Sequence, residues 1–322
     1  MVATVRGNMA AADLGVTLMH EHLFVLDAEV RANYPEEWSE EIEIAHAVER
    51  LAQAYERGVR TVVDVTVLGL GRFIPRIIEV AKRTPVNIVA ATGLYTYDLV
   101  PLGFRSDRDR SGDIDLMAER FVRDIEHGIS TTGVRAGALK CSSDRHGITP
   151  GIERAIRAVA RAQRTTGVPV LTHTNVRLDP GGGLRQIELL VDERVELDRV
   201  VIGHSDDSPD YGYLLAIAQA GAFVGFDHLN PIVVSPTIDE RVDMLVRLIE
   251  AGFADRLILS HDAWCFAESY GHTTDFNLIH DVVLPLLRER GLGEADFDRL
   301  LVQNPRHLFT GVNDAVSSVV PQ

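Results

Sequence analysis

Short apolar, β-branched runs alternate along this chain with longer stretches in which apolar residues recur every three or four positions. The short runs cover residues 16–19, 61–67, 87–92, 136–139, 170–172, 200–203, 222–226 and 257–260. They are apolar throughout rather than alternating, the pattern of strands buried on both faces. The longer stretches cover residues 42–57, 74–83, 116–127, 152–166, 183–193, 211–220, 239–250 and 277–290 and read as amphipathic helices. In the first of them Ile42, Ala45, Val48, Leu51 and Ala52 share one face. Gly58, Gly128, Gly167, Gly221, Gly252 and Gly291 follow helical stretches directly, as C-terminal caps do. Strand and helix alternate eight times, which predicts an α/β fold with a parallel sheet closed into a (β/α)8 TIM barrel, one domain spanning residues 1–322. The competing architecture, an open doubly wound sheet, needs a glycine-rich turn after its first strand, and His20-Glu21-His22 stands there instead.

That triplet turns attention from fold to chemistry. Residues i and i+2 of a strand share a face, so His20 and His22 project together and offer two nitrogens to one ion. The same inspection of the other strand ends finds Lys140 after the fourth, His173 after the fifth, His204 after the sixth and His261-Asp262 after the eighth. A barrel brings these C-terminal ends to one face, where active sites sit. His20, His22, His173, His204, Asp262 and Lys140 are therefore the candidate metal ligands. The remaining histidines, among them His46, His127, His280, His146, His272 and His307, fall in helical or loop stretches and receive no chemical role.

Composition sharpens the case of the lysine. The chain holds 32 basic residues, of which only Lys82 and Lys140 are lysines, and 47 acidic ones, for a net charge of −15. Lys82 lies on a polar helix face; Lys140 ends an apolar run, where a lysine can lose its proton and an arginine cannot. A neutral amine in a dry pocket can add carbon dioxide, and the resulting carbamate gives two oxygens with which to bridge two dications. The acidic balance argues against nucleic acid or an anionic membrane as partner. Two cysteines exclude a disulfide framework. Neither a leader peptide nor a run of 18 apolar residues is found, so a cytoplasmic location without membrane attachment is expected.

These residues carry a family resemblance. The segments Gly15-Val16-Thr17-Leu18-Met19-His20-Glu21-His22, Gly93-Leu94-Tyr95-Thr96-Tyr97, Arg135-Ala136-Gly137-Ala138-Leu139-Lys140, Gly167-Val168-Pro169-Val170-Leu171-Thr172-His173-Thr174, Val201-Ile202-Gly203-His204, Ser260-His261-Asp262 and Asn304-Pro305 resemble, in order, the phosphotriesterase family of the amidohydrolase superfamily and its phosphotriesterase-like lactonases. The resemblance implies that His20, His22 and Asp262 hold a buried divalent ion and His173 and His204 a more exposed one, with N6-carboxylated Lys140 and a hydroxide between them. Zinc is the expected metal, with cobalt, manganese and iron also compatible with mixed nitrogen and oxygen donors. Tyr95 matches the tyrosine that lactonase relatives place beside the exposed ion, where it would orient substrate or meet the leaving alkoxide; Tyr97 is assigned to the core. Asp262 would take the proton of the attacking hydroxide. Relatives also imply a homodimer.

The implied reaction is hydrolysis of a small neutral ester: a lactone such as an N-acyl-homoserine lactone first, an organophosphate triester as a side activity. His228 stands where lactonase relatives usually carry arginine and looks like the phosphotriesterases proper. Residues 263–274 read as a loop in which Trp264, Cys265, Phe266 and Tyr270 form an apolar wall for an acyl chain. His228 and Trp264, with Tyr95, are thus the expected substrate contacts. The alternatives are a dedicated phosphotriesterase or carboxylesterase on the same ions, a Schiff-base lyase using Lys140, and a non-catalytic binding barrel.

Overall fold

A small hairpin of β1 (Val2–Thr4) and β2 (Gly7–Met9) leads into a ten-residue strand, β3 (Val16–Val25). The short runs then follow as β4 (Val59–Asp64), β5 (Asn87–Gly93), β6 (Ala138–Ser142), β7 (Val170–His173), β8 (Val200–Ile202), β9 (Phe223–Phe226) and β10 (Leu257–Leu259), with β11 (Trp264–Ala267) after them. The helices are α1 (Ala28–Asn33), α2 (Glu40–Glu56), α3 (Ile74–Ala81), α4 (Gly112–Glu126), α5 (Pro150–Thr166), α6 (Gly182–Asp192), α7 (Tyr211–Gln219), α8 (Ile238–Glu250), α9 (Leu284–Glu289), α10 (Glu294–Asp298) and α11 (Asn304–Thr310). The structure is a computed structural model and describes residues 1–105, 112–230, 232, 235–272 and 276–311. No described helix is long and apolar enough to cross a membrane.

The main sheet runs β10-β9-β8-β7-β6-β5-β4-β3-β11, every neighbouring pair parallel, and with the alternating helices it is a (β/α)8 TIM barrel. Each of its strands β3 to β10 feeds two apolar layers by alternation. Met19, Val63, Val89, Ala138, Leu171, Val201, Phe223 and Ile258 meet one another inside the barrel. Their neighbours Leu18, Val62, Ile88, Leu139, Val170, Val200, Val224 and Leu257 pack outward against the helices. Stepping two residues on from the inward set reaches Lys140 and His173, stepping four reaches Asp227 and Asp262, and stepping six reaches Tyr95. The fold thus sends the side chains at these positions into the barrel mouth.

Lys140 and His173, expected just past their strands, lie within β6 and β7, and three further elements differ from the sequence expectation. The first strand does not stop at Met19, so His20 and His22 lie within β3. Its far half has a second partner: Trp264 of β11 pairs opposite His22, so 264–267 is strand and not loop, while 273–274 lie outside the described residues. A register irregularity against β4 between Leu18 and Glu21 turns both imidazoles to the face that Met19 occupies. The last long helix is broken into a π-turn, Ile279–Val283, and α9. Pro285 supplies no N–H to a regular ladder there, and at the start of the segment the Ile279 N–H donates to His261 Nε2 at 3.1 Å.

Closure of the barrel rests on Glu21. Between β10 and β11 the chain crosses residues 260–263, and one Glu21 carboxylate receives the Ser260 hydroxyl (2.8 Å), the His261 N–H (3.0 Å), His261 Nδ1 (2.7 Å) and the Ala263 N–H (2.9 Å). The Asp262 N–H in turn donates to the His20 carbonyl at 3.0 Å. His261 is consumed by these bonds, so it braces the closure and has no lone pair for an ion. Replacing Glu21 with alanine leaves four buried donors unpaired and is expected to destabilise the fold by about 3 kcal/mol. Urea unfolding checks this, and a loss below about 1 kcal/mol would contradict it.

Candidate active site

The mouth of the barrel gathers all of the expected ligands. The ring centroids of His20 and His22 lie 5.9 Å apart, those of His20 and His204 4.7 Å, and those of His173 and His204 4.6 Å. The Asp262 carboxylate sits among them: Oδ1 is 3.2 Å from His22 Nε2 and 3.6 Å from His20 Nε2, and Oδ2 is 3.6 Å from His204 Nε2. The donor atoms of His20, His204 and Asp262 all fall within 4.8 Å of one another. Lys140, 1% exposed, points its Nζ at His20 Nε2 (2.7 Å) and donates to the Thr172 carbonyl (3.1 Å). His173 stands at the outer side, its Nε2 3.3 Å from Asp144 Oδ2 and 3.4 Å from the Tyr95 hydroxyl.

A residue that the sequence reading passed over decides how these rings face. Asp227 is fully buried and takes His20 Nδ1 on Oδ2 (2.7 Å) and His204 Nδ1 on Oδ1 (3.1 Å). Its Oδ1 also accepts the His204 backbone N–H at 2.5 Å. With both Nδ1 atoms directed at Asp227, both Nε2 atoms turn to the centre, where a cation would take the place of any proton on them. His22 is held likewise, by a 2.8 Å contact of Nδ1 with the Thr66 hydroxyl. Gly225 makes room for the carboxylate, since a Cβ there would lie 2.8 Å from Asp227 Oδ2. His204 Nε2 is buried with no hydrogen-bond partner, which a buried polar atom avoids unless something else satisfies it. Imidazole nitrogens converging on a carboxylate suit a borderline divalent cation, so the donor set fits metal. The backbone is strained at the same place: His204 and Asp262 take left-handed φ of 55° and 50°.

The charges respond to burial and to each other. Burial, and then Lys140, depresses His20 to about 3, and burial depresses His173 to about 4. Burial also opposes charge on His204, but Asp227 and Asp262 outweigh it and lift that group to about 9. Lys140 is pushed by burial down to about 8, against the pull of Asp262 and Asp227. Burial resists ionising Asp227 and Asp262, yet the surrounding imidazoles hold both well below the ordinary carboxylate range. Burial and the Asp144 carboxylate raise Tyr95, so it remains a phenol, donating to Asp144 Oδ2 at 2.6 Å.

A second line of polar groups runs outward from Asp262. His228 Nε2 lies 4.0 Å from Asp262 Oδ2, and its Nδ1 is 3.1 Å from both oxygens of Asp207. Asp207 is paired at 2.7 Å with Arg241, a guanidinium with no exposed surface that also grips Asp206. Helical periodicity gave no sign that Arg241 is buried. The cleft above the site measures about 1270 Å³ and is lined by Tyr95, His228, Trp264, Tyr270 and Ile232 as well as by the ligands. Cys265 is buried and Phe266 packs against Trp38, so neither lines it. Tyr97, expected in the core, is 44% exposed on the rim, because its ring packs edge-on to Tyr95 and lies under Arg145.

Known proteins resemble this chain over nearly its whole length. The phosphotriesterase family profile matches residues 1–309. A phosphotriesterase homology protein of Mycobacterium tuberculosis is 45% identical over 317 residues, covering 95% of this chain and 96% of its own. An aryldialkylphosphatase of Saccharolobus solfataricus is 35% identical over 315 residues, covering 95% and 98%. The solved structure of the phosphotriesterase from Mycobacterium tuberculosis superposes with a TM-score of 0.89 at 44% identity, over 96% of this chain and 98% of that one.

The imidazole shifts fix the acid limb of stability. In the unfolded chain a histidine takes its proton near pH 6.5, whereas folded His20 and His173 refuse it until about 3 and about 4. As pH falls through that window the unfolded chain binds more protons, so stability drops. Protein stripped of divalent ions should lose stability from about pH 6.5 to about pH 4, and His173→Asn should flatten that slope. Urea midpoints across the range check this; equal slopes for the two proteins contradict it.

Proposed function

From the premise that this chain belongs to the phosphotriesterase family of ester-hydrolysing enzymes, we propose that it is a dinuclear metal-dependent hydrolase that prefers lactones and also cleaves organophosphate triesters. The observation that carries the metal reading is the set of Nε2 atoms aimed at Asp262, with Asp227 behind two of them and His204 Nε2 lacking any other partner. His20, His22 and Asp262 would hold one ion, His173 and His204 the other, and carboxylated Lys140 would join them. Two divalent ions, zinc first and cobalt, manganese or iron as substitutes, would supply Lewis acidity and an activated water.

The protein's own groups do the rest. Lys140, poised near 8 in a dry pocket, has a neutral fraction at physiological pH whose lone pair can form an N–C bond to carbon dioxide, with one N–H proton lost to solvent. Asp262 is ionised and accepts the proton released at the centre; His228, 4.0 Å away and held by Asp207, gives that proton a way out to the cleft. Tyr95 keeps its O–H and faces the substrate from the side of His173, where it can donate to a leaving alkoxide once it swings from Asp144. Trp264, Tyr270 and Ile232 offer the acyl chain an apolar wall. On the same cleft the carboxylates of Asp27, Asp144, Asp207 and Glu268 outnumber the guanidinium groups of Arg145 and Arg177, a balance that disfavours an anionic substrate and supports a neutral ester. A histidine at 228 favours a second reading, a dedicated phosphotriesterase.

Chelation should lower lactone hydrolysis at least 100-fold, and added zinc or cobalt should restore it. On the restored enzyme, kcat/KM for an acyl-homoserine lactone should exceed that for an aryl dialkyl phosphate; the reverse order selects the second reading, and full activity after chelation removes both. Lys140→Ala should lose part of its metal content, with short-chain carboxylates recovering some of it. His228→Arg should alter the ranking of the two substrates while leaving metal content unchanged. A collapse of metal content in that variant would overturn the pocket role given to His228.

A further inference from the structure

A second constellation of metal-binding side chains lies at the rim of the cleft and shares no residue with the centre. Glu43 and His46 stand at i and i+3 on α2, one face of one helix, a spacing suited to presenting both groups to one ion. His272 follows β11 and joins them across 226 positions of sequence. His272 Nε2 is 2.9 Å from Glu43 Oε2 and 3.0 Å from His46 Nδ1, and His46 Nδ1 is 3.6 Å from Glu43 Oε2.

Hydrogen bonding alone does not account for that triangle. A proton on His272 Nε2 aligns with Glu43 or with His46 but not with both. If His46 Nδ1 instead donates to His272, a nitrogen lone pair faces a carboxylate oxygen at 2.9 Å. A cation removes the conflict, because all three atoms can then act as lone-pair donors to it. With edges of 2.9, 3.0 and 3.6 Å, that point lies about 1 Å off the plane of the three atoms and about 2.1 Å from each, the length of a zinc bond to nitrogen or oxygen.

The surroundings hold the three groups in place. The Glu43 side chain is only 12% exposed, beneath imidazoles that are 44% and 42% exposed. The two imidazole planes cross at 80°, so their nitrogens approach from different directions. The Phe266 ring, 5.2 Å from that of His272, fixes the outer imidazole edge-on. Among the described residues, the ion-pair partners of Glu43 are these two histidines.

We propose that Glu43, His46 and His272 form a third divalent-cation site, for a borderline ion such as zinc, completed by water on the exposed side. The ion ties α2 to the segment after β11, which carries Tyr270 and follows Trp264, two walls of the cleft. It therefore stiffens the rim against which substrate packs, without taking part in the chemistry.

Equilibrium dialysis of the metal-loaded protein against buffered free Zn²⁺, with elemental analysis, tests this. Wild type should bind one ion per chain more than His46→Ala/His272→Ala, and Glu43→Gln should weaken that additional ion at least tenfold. Equal stoichiometry in wild type and the double variant overturns the site. The count is a difference between two proteins with the same barrel mouth, so an error about the ions held there shifts both totals alike and leaves this result readable. Hydrogen exchange gives a second readout: zinc should slow exchange of the 267–272 amides in wild type and not in the double variant. Equal protection in both would overturn the clamp.

Discussion

One buried carboxylate sets the chemistry of the whole barrel mouth. Asp227 reaches His20 on β3 and His204 after β8, and by accepting from both Nδ1 atoms it fixes two tautomers at once. Without that acceptor either ring could flip or carry its proton on Nε2, and the inward lone pairs would be lost. Glycines at 203 and 225 admit the carboxylate, and the parity of β9 delivers it, so the backbone is shaped around this contact. Glu21 does the matching work on the other side of Asp262 by binding the N–H groups of His261 and Ala263, which flank that strained residue.

The arrangement is expensive in the absence of a cation. Buried ionisable groups crowd one another: a histidine driven toward charge by two carboxylates, a lysine driven away from it by burial, and two imidazoles kept neutral. Apolar residues of similar size would make a more stable mouth. The barrel bears that cost next to its inward apolar layer. Preorganisation of this kind leaves little rearrangement for binding or reaction to drive.

Much of this was legible in the sequence, for definite reasons. Parallel barrel strands are buried on both faces, so β4, β5, β9 and β10 stand out as β-branched or aromatic runs, and a histidine, lysine or aspartate just past such a run is conspicuous. What escaped was of other kinds. Asp227 was hidden beside His228, since a carboxylate near a strand end carries little signal by itself. In the sequence Glu21 is no more than the residue between two histidines, although it faces the opposite way and closes the barrel. Arg241 lies on an amphipathic helix that gives no hint of its pairing with Asp206 and Asp207. Trp264–Ala267 becomes a strand only because β3 runs long enough to pair with it. His46 and His272 are too far apart in sequence for spacing to connect them.

The most direct test of the account is a crystal structure of the purified enzyme with anomalous data at the absorption edges of zinc, cobalt, manganese and iron. The account predicts two anomalous peaks in the barrel mouth, within bonding reach of the Nε2 atoms of His20, His22, His173 and His204 and of the Asp262 carboxylate, with extra density extending the side chain of residue 140 between them. A mouth without anomalous signal after growth and purification in metal-sufficient medium, with imidazoles turned away from Asp227, would contradict it.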